Sequence, residues 1–291
     1  MSATVVSIGE LLFDVFPEGE RLGGAPSNFA FHVAALGGRS HLISAVGDDE
    51  RGREATRLLA SAGVDVTGVR KVKEKQTGIV PVTLNEDGQP AYDIVEDVAW
   101  DEIEIAPEVE AIVGAADLIC WGTLGQRSCR SRLAHRQLFD LVPVGCLKVC
   151  DINFRLNYHS HEVVKASLAA ADFLKLNDEE TAILREYVGG ARDDREFVKE
   201  IRREFGIDTV VLTMGANGCR VFAQNVDFKE PGIAVEVVNT VGSGDAFAAG
   251  FVLQMLSGSD LKTCAQHANR VGAYVATQDS GTPVLPARFR V

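Results

Sequence analysis

Two short runs of this sequence hold residue types that could handle a phosphate and a hydroxyl. Asn239-Thr240-Val241-Gly242-Ser243-Gly244-Asp245-Ala246-Phe247 follows a strand-like segment and opens an apolar, helix-like one. Gly242 and Gly244 let the amides of Gly242, Ser243 and Gly244 converge on a small concave space. A helix N-terminus there adds roughly half a positive charge. That setting suits a phosphate, and more so the spread negative charge of a phosphoryl group in transit. A carboxylate would repel a resting anion, so Asp245 makes more sense as a base that takes a proton from an attacking hydroxyl. The same residues also suit a glycine-rich turn with an Asp capping the helix. The chain has no Gly-x-x-x-x-Gly-Lys-Ser/Thr loop and no Gly-x-Gly-x-x-Gly run after a strand.

The second run is Gly23-Gly24-Ala25-Pro26-Ser27-Asn28. Glycines allow a ligand close to the backbone. Asn28 offers a donor and an acceptor to hydroxyls, and Asp14 upstream could accept from two vicinal hydroxyls. A helix-start turn with Asn in the cap fits equally well. Asn177-Asp178-Glu179-Glu180 could hold Mg²⁺, the carboxylate attracting the ion and the amide its water shell. It also reads as a helix N-cap with an acidic first turn. Arg155, in Asp151-Ile152-Asn153-Phe154-Arg155, carries a fork of donors that suits a phosphate or a substrate oxygen, or a surface ion pair. Trp100 reads as lid or core packing. His159 and His161 sit in a polar loop with no third ligand nearby and read as structural or solvated.

These groups must be positioned by a framework, and its outline is legible. Short apolar runs at residues 5–8, 11–16, 41–46, 118–121, 147–150, 173–176 and 209–213 suit strands, most of them buried and parallel. Helical spacing appears at 29–36, 51–62, 130–141, 162–171, 178–188, 194–205, 246–256 and 261–277. Residues 220–224 and 233–237 read as antiparallel edge strands. Residues 78–84 and 91–95 are β-rich with no helix between them, and Asn85-Glu86-Asp87-Gly88 is a hairpin signal. Alternating βα units predict a three-layer α/β fold with a mostly parallel sheet, its ligand beyond the carboxyl ends of the strands.

The chain has 291 residues, 46% hydrophobic and 24% charged, so one large domain with a small appendage is expected. A net charge of −12 argues against a broad surface for nucleic acid or anionic lipid. An anionic ligand would be bound locally, by amides, helix ends and a few cations. Six scattered cysteines without a Cys-x-x-Cys pair read as buried free thiols. No stretch reaches the length of a membrane span and the first residues do not resemble an export signal, so a cytoplasmic protein is expected.

The two glycine clusters together resemble the paired signatures of the ribokinase (PfkB-type) carbohydrate kinases. Residues 23–30, Gly37 and Gly47-Asp48-Asp49 are similar to the N-terminal signature. Residues 239–245 are similar to the C-terminal Asp-Thr-x-Gly-Ala-Gly-Asp. The resemblance covers nearly the whole chain. It implies a single ribokinase-like domain over 1–291, with a β lid from about 10–22 and 68–98, and an ATP-dependent sugar kinase using Mg²⁺. Asp245 would be the base. Asp14, Gly23, Gly24 and Asn28 would hold the sugar. Asn177 and Glu180 would act on phosphate and on Mg²⁺ through water. Thr213, Gly215, Gly218 and Asn269 would lie on the nucleotide side.

Tyr92, Ala99-Trp100-Asp101, Gly122 to Ser128 and the Asp-x-Asn-x-Arg run look most like the fructokinase branch. They imply that Tyr92, Gln126, Arg127, Asn153 and Arg155 face the sugar, D-fructose before 2-keto-3-deoxygluconate or ribose. A non-catalytic sugar or nucleotide sensor is the alternative of another class, and the retained Asp245 argues against it. Lid strands of such kinases often pair between subunits, which makes a homodimer plausible. In the family the start of the second signature helps bind an activating monovalent cation. Asn239 removes the acid there, which counts against potassium, although backbone carbonyls could still coordinate.

Overall fold

Side chains alternate across each central strand, and that alternation sends its apolar residues to the two faces of the sheet. The computed structural model describes residues 2–84 and 90–291. Its strands are β1 (Thr4–Ile8), β2 (Leu12–Phe16), β3 (Gly19–Gly23), β4 (Arg39–Gly47), β5 (Val64–Asp65), β6 (Val69–Val72), β7 (Gly78–Leu84), β8 (Pro90–Tyr92), β9 (Leu118–Trp121), β10 (Leu147–Asp151), β11 (Phe173–Asn177), β12 (Thr209–Thr213), β13 (Cys219–Ala223) and β14 (Val226–Glu230). Its helices are α1 (Ala25–Ala35), α2 (Glu50–Ser61), α3 (Pro107–Val113), α4 (Cys129–Leu141), α5 (His161–Ala170), α6 (Asp178–Val188), α7 (Asp194–Glu204), α8 (Ser243–Leu256) and α9 (Leu261–Ala276).

The large sheet runs β14-β13-β12-β11-β10-β9-β1-β4-β5, with β6 also on β4. From β12 to β5 the pairs are parallel, and β13 and β14 are antiparallel. Val5, Leu118, Val149, Phe173 and Val211 pack on one face with Phe29, Phe251 and Val271 of α1, α8 and α9. Their neighbours Val6, Ile119, Cys150, Leu174 and Val210 pack on the other with Val109, Leu138, Val164, Leu184 and Phe197 of α3 to α7. Three layers follow, as the βα alternation predicts.

The small sheet has the order β3-β2-β7-β8. Its membership corrects the expected lid: residues 69–72 pair with β4, Ser44 opposite Val69, because Val69 and Val72 are buried against the large sheet. The hairpin signal at 85–88 lies outside the described residues. The strand expected at 233–237 is also displaced. Asn225, in left-handed backbone at φ 59, turns the chain straight back after β13, so β14 takes the edge. Pro231 and Gly232 follow, and Val235, Val237 and Val238 stay exposed.

Both functional helices start earlier than periodicity suggests. α1 begins at Ala25 with Pro26 in its first turn, where proline's missing N–H is harmless. α8 begins at Ser243. Asn28 and Asp245 therefore sit on helical first turns rather than in the loops ahead of them. Trp100 is fully buried, and a side chain at Gly78 would strike its indole. The cysteines are free, with Cys129 alone exposed. No helix among the described residues is long and apolar enough to cross a membrane.

Asp49 ties the small sheet to the large one. One oxygen caps α2 through the Gly52 amide at 2.7 Å and accepts from the Thr77 hydroxyl at 2.6 Å. The other accepts from the Thr77 amide at 2.8 Å, one residue before β7. Asp49→Ala removes the cap and both anchors. A loss of about 2 kcal/mol is expected, near 1 for the cap and about as much again for the buried donors left unpaired. Urea denaturation checks the value, and wild-type stability would rule the clasp out.

Candidate active site

The carboxyl ends of β1, β9, β10 and β11 and the N-termini of α1 and α8 enclose one charged region. Gly242 lies in left-handed backbone at φ 76, and a Cβ there would fall 2.3 Å from the Gly281 carbonyl oxygen. Only glycine makes this turn. The Ser243 amide donates to the Thr240 carbonyl at 3.2 Å, and its hydroxyl donates to the same oxygen at 2.8 Å. The predicted Ser243 amide is thus turned inward, a correction to the expected anion-binding set. Ala246 is the first α8 residue to donate to a helical carbonyl, that of Gly242. The amides of Gly244 and Asp245 before it stay outside the helical ladder, as first-turn amides must.

Asn28 reaches across 217 residues and donates from Nδ2 to Asp245 Oδ2 at 2.9 Å. Its Oδ1 is buried without a partner among the described residues. Asp245 keeps some accessible surface, yet the surrounding walls desolvate it. Burial first, then the charge of Asp151, pushes its pKa up to about 6, against the pull of Asn28, Lys175 and Arg155. Asp14 stands on β2 above Gly23 of β3, where a Cβ would come within 2.5 Å of its Oδ2. Burial raises Asp14 to about 6, with Arg155 opposing. Gly24 is as constrained: φ is 100, and a Cβ would meet the Glu10 carbonyl oxygen at 2.4 Å.

Arg155 is exposed and donates to the carbonyl of Phe154 at 3.1 Å. Its charge draws down Glu10, Asp14, Glu180 and Asp245 together. The loop that presents it holds Asn153 at φ 44 and Leu156 at φ 47. Left-handed backbone at a leucine is strained and held by its surroundings. Asn177 and Glu180 form a reciprocal capping box: Asn177 Oδ1 accepts from the Glu180 amide at 2.7 Å, and Glu180 Oε2 accepts from the Asn177 amide at 2.8 Å. The cap leaves Glu180 Oε1 and Asn177 Nδ2 outside it, which fits a water-mediated hold on Mg²⁺.

Thr213, Gly215 and Gly218 line the turn after β12. Gly218 has φ 85, and a Cβ there would lie 2.1 Å from the Glu230 carbonyl oxygen. Asn269 is buried on α9 and donates to the Pro231 carbonyl at 3.0 Å, fixing the chain after β14. Tyr92 stands exposed at the end of β8.

Two predicted sugar-facing residues are turned inward. Gln126 is buried, its amide donating to the Gly122 carbonyl at 2.9 Å and the Ser167 hydroxyl at 3.0 Å. Arg127 is forked onto Asp101 at 2.8 Å by two bonds and lies 3.8 Å over the Trp100 ring. A buried guanidinium needs its counter-charge, and Asp101 supplies it there. His159 is structural, its Nδ1 and Nε2 bonded to the Tyr187 hydroxyl and the Leu156 carbonyl.

The sequence reading missed two charged residues. Glu10, just after β1, is 2% exposed, and its Oε2 has no partner among the described residues. Lys175 is buried in β11 and paired with both oxygens of Asp151 at 2.8 and 2.9 Å. Its signal was available: a lysine inside the apolar run Phe173-Leu174-Lys175-Leu176 requires an acid on a neighbouring strand.

The pfkB family carbohydrate kinase model matches residues 5–288. The chain belongs to this family. It is similar to the fructokinase of Escherichia coli, 29% identical over 99% of this chain and 98% of that protein. It is 33% identical to the ATP-dependent ribose-1-phosphate kinase of Halopiger xanaduensis over 88% of this chain and 81% of that protein. Among solved structures it resembles the sugar kinase PH1459 of Pyrococcus horikoshii in complex with ATP. That match has a TM-score of 0.80 and 27% identity, covering 96% of this chain and 94% of the other. The paired glycine clusters are thus the signatures of a pfkB carbohydrate kinase, a phosphotransferase with the ribokinase-like three-layer fold.

Burial raises Glu10 from 4.5 to about 7, with its own amide, Arg155 and the Ala25 amide opposing and Asp245 adding to the rise. The folded chain therefore holds a proton that the unfolded chain releases near pH 4.5, so this group's contribution falls as pH rises through that window. Glu10→Gln is expected to raise Tm more at pH 8 than at pH 5. Thermal denaturation at both pH values decides it, and an equal change at the two would refute it.

Proposed function

We propose that this pfkB kinase moves the γ-phosphoryl group of ATP to a hydroxyl of a free sugar, with D-fructose the first candidate. The observation that carries the reading is the hydrogen bond from Asn28 to Asp245, which joins the two glycine clusters at the carboxyl ends of the strands. In this reading Asp245 takes the proton of the attacking sugar hydroxyl. The hydroxyl oxygen bonds to the γ-phosphorus, the bond from that phosphorus to the β,γ-bridging oxygen breaks, and ADP leaves. The Gly244 and Asp245 amides and the α8 N-terminus face the developing charge. Asp14 and Asn28 Oδ1 accept from sugar hydroxyls, with Gly23 and Gly24 giving them room. Arg155, carried beside Asn153, meets the phosphate or a sugar oxygen. Asn177 and Glu180 would hold the water shell of Mg²⁺, which when bound would neutralise phosphate charge. Thr213, Gly215, Gly218 and Asn269 shape the nucleotide side.

Fructose is favoured by the full-length likeness to the Escherichia coli fructokinase and by the inward commitment of Arg127. That leaves Arg155 as the cation for an acid such as 2-keto-3-deoxygluconate. ATP consumption measured across fructose, ribose, ribose 1-phosphate and 2-keto-3-deoxygluconate tests the substrate. Preference for any but fructose would move the assignment within the class, and no turnover on any sugar would favour a sensor. Asp245→Asn should lower kcat by at least about 10²-fold with ATP affinity little changed, the usual worth of a general base. Near-normal turnover in that variant would sink the base assignment.

The contacts of Asn239 count further against a monovalent cation beside this turn. Asn239 Oδ1 accepts from the Val241 amide at 3.0 Å, so its Nδ2 must face the Asp279 carbonyl, at 3.2 Å. Arg21 of β3 donates to the same carbonyl. An amide donor and a guanidinium already meet this carbonyl, the oxygen beside the position where the resemblance expects an acid. Equal turnover in potassium chloride and tetramethylammonium chloride at matched ionic strength is expected, and activation by potassium would overturn this reading.

A further inference from the structure

Lys175 and Asp151 are register partners on neighbouring parallel strands, so their side chains lie side by side on one face of the sheet. Around them that face is apolar: Val5, Leu118, Cys120, Val149, Phe173 and Val211. Both are less than a tenth exposed. A buried ion pair is a weak source of stability, because the desolvation of two charges offsets their attraction, and apolar residues of similar size do as well. Its place is more informative. The ammonium lies directly beneath the phosphate-facing turn, and a Cβ added to Gly244 would sit 3.5 Å from Lys175 Nζ. A charge held so close beneath backbone amides adds to their field with little screening.

We propose that Asp151 and Lys175 form a positioning pair for phosphoryl transfer. Lys175 backs the Gly244 turn with positive charge, and Asp151 holds Lys175 in place. This rests on Asp245 being the base. The charged and polar groups facing Asp245 are Asn28 of α1, Glu10 after β1, Asp151 of β10, Arg155 after β10 and Lys175 of β11, with Cys120 of β9 on the same face. Asp151 and Lys175 act on Asp245 with opposite sign. Their removal must therefore move the acid limb of the pH profile in opposite directions.

The test compares Lys175→Met, Lys175→Arg, Asp151→Asn and the double variant Asp151→Asn/Lys175→Met. The readouts are kcat and KM for ATP and fructose, and kcat/KM from pH 5 to 9. Lys175→Met should move the acid limb up by about one pH unit and Asp151→Asn down by a similar amount, the usual effect of a charge a few ångströms away. kcat should fall by about tenfold or more while KM changes less, because the missing charge counts most in the transition state. Lys175→Arg should restore part of kcat. The double variant leaves no lone buried charge and keeps the pair testable if a single variant fails to fold. Limbs that stay put or move the same way, or a double variant with wild-type kcat and profile, would overturn the proposal. Should Asp245→Asn itself turn over normally, the base assignment fails first. An inactive Asp245→Asn beside unmoved Lys175 and Asp151 variants defeats this inference alone.

Discussion

One amide-to-carboxylate hydrogen bond, Asn28 to Asp245, joins the start of α1 to the start of α8. Both helices lie on one face of the sheet and pack against each other through Phe29, Val33 and the apolar side of α8. The bond can form because both first turns end at the same edge, where parallel strands deliver their carboxyl ends. That geometry sets the demands on the rest. Gly24 must let α1 pass over the Glu10 carbonyl, and Gly242 must let α8 begin against Gly281. Neither position has room for a Cβ.

The second organising constraint is charge in a confined space. Glu10, Asp14, Asp151, Glu180 and Asp245 gather where, among the described residues, only Lys175 and Arg155 oppose them. Burial pushes Glu10, Asp14 and Asp245 well above ordinary carboxylates. A group meant to take a proton near neutrality benefits from that shift. The acids also keep the region unwelcoming to a bare anion, so phosphate must arrive with its own cation or meet the amides and Arg155 directly.

Much of this was legible from residue types. Glycines at 242 and 244 before an Asp, and at 23 and 24 before an Asn, announce turns, and at Gly24 and Gly242 close backbone approach explains them. The continuous apolar strands announced the parallel sheet. What stayed hidden depends on who faces whom. Arg127 and Gln126 follow a strand end, as cleft residues do, but Asp101 and Ser167 lie close enough to draw them inward. Glu10 and Lys175 look like ordinary charges until the fold buries them. The capping role of Asn177 and Glu180 was visible as one reading of two, and the structure leaves one polar atom of each outside the cap. Residues 69–72 fell inside the expected lid range because local pattern does not name a strand's neighbour.

The small sheet carries two contacts of different kinds. Asp14 and Arg21 are opposite one another across β2 and β3. Asp14 looks into the charged region, and Arg21 grips the Asp279 carbonyl in the segment that also backs Gly242. The two strands are paired at five register positions, Leu12 to Phe16 against Gly23 to Gly19. Any displacement of this hairpin that a ligand at Asp14 favoured would also bear on the footing of the Gly242 turn. Any such coupling would be reciprocal, a ligand at the turn changing the affinity at Asp14 by the same free energy. The hairpin holds the two contacts side by side at one register pair, so the acid and the support of the turn share a single footing.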